Sequence, residues 1–223
     1  MRSPTLLILI AVLAAATVSG CGGSDSDSET SSASFEPTAT LRAAGESTRT
    51  EKPDFVLRVE ARPGDENLRA VNVVLPPVAL VDATAVSRIC SRAELESDRC
   101  ADREPLGFAR VDSLAYDAPL AGDVFAVSGP DTRLPKLVFV LGGPVDVLLE
   151  GRIVSEGGRI GAGVDDIPNT SLRSFEFTIN GGKSGYLILS RDICAGDPEA
   201  DATFESQSGQ VVRTKLPLEA DCG

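Results

Sequence analysis

The side chains able to do chemistry in this chain are carboxylates and thiols, because it contains no histidine. Without an imidazole, the usual general base near neutral pH and the commonest transition-metal ligand are both missing. A Ser-His-Asp or Cys-His relay cannot be assembled. Hydrolysis would need two acids converging on a cleft, and Asp146, Glu150, Asp165 and Asp166 are the candidates. Asp165 and Asp166, with Asn169 nearby, also suggest hard oxygen ligands for Ca²⁺. Their spacing matches no EF-hand, so no metal ligand, cofactor or catalytic residue is assigned. Gly182-Lys183-Ser184 looks like the tail of a phosphate loop, but Phe177 stands where its first glycine should be. Gly161-Ala162-Gly163 could open a dinucleotide fingerprint, yet Asp166 occupies the third glycine position, and the string reads as a flexible turn.

The thiols divide by position. Cys21 follows Val18-Ser19-Gly20 at the end of an apolar run that starts at Leu6, with Arg2 ahead of it. A basic start, a short apolar core and small residues at the cut make an export signal. The run is shorter than the roughly 20 residues that cross a bilayer. Val18 to Cys21 resembles the lipobox of a bacterial lipoprotein. That resemblance implies diacylglyceryl transfer to the Cys21 sulfur, cleavage before it, and a place on the extracytoplasmic face of the cell membrane. Two acyl chains hold durably where one does not, each buried methylene contributing about 0.8 kcal/mol. An ordinary secretory signal with an incidental cysteine is the alternative.

Cys90, Cys100, Cys194 and Cys222 remain, an even count that reads as disulfides in an exported chain. Three connectivities exist, and pairing neighbours, Cys90 with Cys100 and Cys194 with Cys222, is favoured. A metal or redox site would call for Cys-x-x-Cys spacing or histidine, and neither is present.

The elements that must position these residues are mostly strands. Phe55, Leu57 and Val59 alternate with polar neighbours, as do Val71, Val73 and Leu75, and Phe175, Phe177 and Ile179. Asn180-Gly181 between apolar runs predicts a hairpin into Tyr186–Leu189. Leu137–Leu141 and Val145–Leu149 predict a second across Gly142-Gly143-Pro144. Shorter strands are expected over 106–111, 124–127, 152–155, 204–207 and 210–215. Ser91-Arg92-Ala93-Glu94 has the form of a capping box opening a short helix. This pattern predicts an all-β fold, an antiparallel β-sandwich of Ig-like or jelly-roll-like type with one short helix near Ser91. The expected organisation is a signal peptide over 1–20, a lipidated Cys21 with a disordered linker over 21–52, and the sandwich over 53–223. The linker's Ser, Asp, Glu and Thr offer almost nothing to bury, and a flexible chain of that length spans about 30 Å.

The formal net charge is −12 and the basic residues are scattered. Nucleic acid and polybasic adhesion to lipid headgroups are thereby disfavoured. The chain has no Trp and only two Tyr, so a sugar-stacking surface is also disfavoured. From Asn72 to Cys222, the order of features is similar to an uncharacterised domain of exported proteins from high-GC Gram-positive bacteria. These features include the Cys-Ser step at Cys90, Pro119-Leu120-Ala121-Gly122, Leu134-Pro135, Asp166-Ile167-Pro168, Gly181-Gly182 and the last two cysteines. That resemblance carries no activity or catalytic residues. The expected function is a non-catalytic envelope module, structural or partner-binding. The alternatives are a ligand-binding lipoprotein with a cavity between its sheets and, third, a carboxylate hydrolase. The membrane, through lipid on Cys21, and an unidentified envelope protein or ligand are the expected partners.

Overall fold

A computed structural model describes residues 34–100, 103–129 and 133–222. Cys21, the signal and residues 21–33 of the expected linker lie outside these. The strands are β1 (Thr38–Ala44), β2 (Asp54–Glu60), β3 (Leu68–Val74), β4 (Ala79–Val81), β5 (Cys90–Ser91), β6 (Gly107–Ser113) and β7 (Leu120–Ser128). They continue with β8 (Lys136–Gly142), β9 (Val147–Glu156), β10 (Arg159–Val164), β11 (Leu172–Ile179), β12 (Leu187–Leu189), β13 (Glu199–Ser206) and β14 (Val211–Ala220). One short helix, α1 (Arg92–Glu96), follows β5.

Eleven of these strands close on themselves in the order β7-β6-β11-β2-β1-β14-β13-β3-β10-β9-β8, with β8 returning to β7. The closing pair runs from Ala121 opposite Gly142 to Val127 opposite Lys136. Neighbours in the ring are antiparallel except β1 and β14, which lie parallel with Leu41 opposite Leu218. The fold is therefore a closed β-barrel, and the expected Ig-like or jelly-roll-like sandwich is wrong. Period-2 alternation says which face of a strand is buried. It does not say whether the sheet packs on a second layer or curls round to bury that face against itself. Closure satisfies both edges that a sandwich leaves open. At the β7–β8 contact, a Cβ on Gly122 would collide with the Val140 carbonyl, so only glycine permits this approach.

Three further expectations are corrected. The stretch 34–52 is not a disordered tether: β1 lies within it and pairs along its whole length with β2, burying Leu41 and Ala43. Gly161-Ala162-Gly163 is no turn but the middle of β10, between β3 and β9. Asn180-Gly181 does not make a hairpin. β11 pairs with β2 and β6, β12 pairs with β4, and a single 3-10 turn over Gly182–Ser184 joins them. The tight two-residue turn lies instead at Gly157-Gly158, joining β9 to β10, where φ values of 56° and 78° suit glycine. The β8–β9 hairpin forms as expected, with Leu141 opposite Val147.

One end of the barrel carries a cap. It comprises the β4–β12 ribbon and a 3-10 turn over Ala83–Arg88, while β5 and α1 pack Cys90 and Leu95 on Phe125, Val127 and Val138 of the β7–β8 wall. Backbone bonds lock the ribbon onto the β1–β2 connection, Thr50 N–H donating to Leu189 O and Leu189 N–H to Glu51 O. Ser91 caps α1 by accepting from the Glu94 amide while the Glu94 carboxylate accepts from the Ser91 amide. A five-residue helix is too short to persist alone. Its staple is the Cys90–Cys100 disulfide, with Cα atoms 6.0 Å apart. The second disulfide, Cys194–Cys222, has Cα atoms 5.7 Å apart and ties the segment before β13 to the residues after β14.

Candidate functional site

Eleven strands enclose more space than these side chains fill. An eight-stranded barrel is about the size that interior side chains can occupy by themselves. Here Phe139, Phe177, Leu137 and Val124 pack tightly in one half, Phe139 meeting Phe177 edge-on at 5.4 Å between ring centres. Leu41, Phe55, Val73 and Phe204 pack in the other. Val111, Val147, Leu149, Ile153 and Ala162, packed against the first cluster, and Ile160, packed against the second, remain only half-buried although they line the interior. The space they border is a cavity of about 260 Å³.

Its wall contains no charged side chain. The polar side chains that reach it are Tyr116, Thr170 and Tyr186. The Thr170 hydroxyl is 3.1 Å from the Ser113 hydroxyl. Burial pushes the Tyr186 hydroxyl above its ordinary pKa, and the Arg88 guanidinium lies 4.3 Å over its ring. Arg88 is itself spent on the carbonyl of Ser184. The interior is thus neutral and apolar from end to end, and can hold hydrocarbon but not an ion.

The carboxylates singled out by sequence lie elsewhere and do not converge. Glu150 is gripped by Lys136 and Arg92, which hold it below its ordinary pKa. Both oxygens of Asp165 accept from Arg152, at 2.6 and 2.8 Å, which lowers its pKa as well. Asp166 and Asp146 are exposed. The Asn169 side-chain oxygen accepts from Asn67 at 2.7 Å rather than facing Asp165. Every carboxyl displaced from its ordinary range among the described residues is displaced downward. A general acid at neutral pH needs the opposite shift. Among the described residues, no group of three or more acidic or cysteine side chains is placed to hold a metal ion.

Sequence reasoning carried a cavity only as an alternative, between two sheets, and assigned no residues to its lining, because no motif marks them. The usable signal was the number of apolar-alternating strands, once β1 and β10 are added to the ring. Comparison of the chain with protein-family models, curated proteins and solved structures finds no match. No helix among the described residues is long and apolar enough to cross a membrane.

Proposed function

We propose that this protein binds a small apolar molecule inside its barrel, held at the extracytoplasmic face of the cell membrane by lipid on Cys21. The cavity carries this reading. An empty apolar void costs roughly 24 cal/mol per Å³, so leaving this one vacant forgoes about 6 kcal/mol. Whole domains are stable by only about 5–15 kcal/mol. A void that expensive is better explained by an occupant than by careless packing. A cavity of about 150 Å³ accepts benzene, so this volume suits on the order of ten carbons.

The closed barrel supports a ligand site better than it supports the structural or partner-binding module expected of a sandwich. Carboxylate hydrolysis is not favoured, since the acids are scattered, ion-paired or exposed. Ten buried methylenes contribute about 8 kcal/mol gross, which limits the Kd to about micromolar or weaker once association costs are counted. The test uses the chain from Cys21 onward with Cys21→Ser, exported behind an ordinary secretory signal so that no acyl chain of its own competes. Calorimetric titration with decanol is expected to show one site per chain. Failure of every alkanol from hexanol to dodecanol to bind would sink the proposal.

A further inference from the structure

Two residues of the cavity wall are also exposed to solvent, Val81 at the capped end and Pro168 at the other; the rest are buried or half-buried. The two ends differ in how they are built. In the β4–β12 ribbon, Ala79 is opposite Leu189 and Val81 opposite Leu187, so these four share one face. Ala79, Leu187 and Leu189 are at most 5% exposed, whereas Val81 on the same face is 49% exposed. A side chain that points inward yet meets solvent marks an opening. Leu80 on the ribbon's outer face and Leu134, just before the wall residue Pro135, are also exposed.

At the Pro168 end, hydrogen bonds tie the loop over residues 165–171 to its neighbours. Ile167 N–H donates to Arg69 O at 2.9 Å, and Gln207 donates to Ile167 O at 3.1 Å. Leu114 N–H donates to Ser171 O at 2.8 Å, and Asn67 holds Asn169. Pro168 belongs to a loop bonded on both sides of it.

We propose that the cavity opens beside Val81 and takes a single-chain amphiphile, its tail inside the barrel and its polar head at the portal. This rests on reading the cavity as an apolar-ligand site. One portal and an uncharged wall admit a molecule with one polar end and exclude a molecule with two. The probes are decanol and decane-1,10-diol, titrated into the same unlipidated mature chain. Decanol is expected to bind and the diol at least roughly tenfold more weakly, because its second hydroxyl must leave water for a wall that offers only the hydroxyls of Tyr116, Thr170 and Tyr186. Val81→Trp should slow decanol association at least tenfold, while Asp166→Trp, at the other end and outside the wall, should leave it within twofold, with thermal melting to show that both fold. Val81→Ala, which widens the portal, should speed both association and release. A diol that binds as tightly as decanol, or a block by Asp166→Trp and not by Val81→Trp, would overturn the portal while leaving the cavity reading intact. No decanol binding by the parent chain would overturn both.

Discussion

Ala162→Leu puts the interior void to a direct test. Ala162 sits at the centre of β10, opposite Val73 on β3 and Ile153 on β9, and lines the cavity while only half-buried. Leucine adds three carbons there. At the roughly 25 Å³ per carbon implied by benzene in a 150 Å³ cavity, they occupy about 75 Å³. Filling that volume should stabilise the ligand-free protein by about 2 kcal/mol. For a domain of this size the melting temperature should then rise by about 4–8 °C. The same three carbons displace ligand. The preferred alkanol should shorten from about ten carbons to about seven, and decanol should bind on the order of fiftyfold more weakly. Denaturant titration without ligand, followed by calorimetry across hexanol to dodecanol, measures both halves. In a filled core the substitution would overpack and cost about 1–3 kcal/mol. Lost stability together with an unchanged chain-length preference would refute the reasoning.

Replacing Cys90 and Cys100 by alanine should cost about 2.7 kcal/mol, and replacing Cys194 and Cys222 about 3.6, from loops of 10 and 28 residues. Denaturation midpoints of the two double variants should fall in that order. Lys52, with help from Thr84, holds Asp82 down to a pKa of about 2, and hydrogen bonds from Ser91 do the same for Glu94. Both folded pKa values lie below the unfolded ones, so this stability is complete above about pH 4–5 and is lost as pH falls toward 2. Asp82→Asn should flatten the decline of the denaturant midpoint over that window. Gly122→Ala should destabilise the barrel by roughly 2–3 kcal/mol, because β7 or β8 must shift to clear the Val140 carbonyl. Growth on an alkyne fatty acid should label the protein, and Cys21→Ser should abolish the label.

Local features were the legible ones. The alternation of Phe55, Leu57 and Val59 needs no partner to be recognised, and the Ser91 capping box is written in four consecutive residues. Ring membership was harder. In β1, only Leu41 and Ala43 are buried among Thr, Arg and small residues, and they become core only when β2 and β14 arrive on either side. Gly161 looked like a turn residue because glycine permits turns. Its role is to let β10 approach β3, where a Cβ would press on the Val73 carbonyl. Gly181 misled for the same reason: it lies against the backbone of Lys52 and Pro53 and bonds to Asp54. The cavity was least legible, since it is set by how many strands close the ring rather than by any residue type.

The parallel pairing of β1 with β14 joins the first described strand to the last. If the chain is exported from its N-terminus, as proposed, β1 emerges early and waits with one edge unsatisfied while every other strand of the barrel passes. Leu218 would then have to clear the membrane before it could meet Leu41, with Cys222 following four residues later to bond Cys194. Such a barrel could not shut until translocation was nearly complete. A nascent chain stalled before residue 211 would therefore present an open sheet to the chaperones and proteases of the envelope, and the final disulfide would latch a barrel only after its last stave is in place.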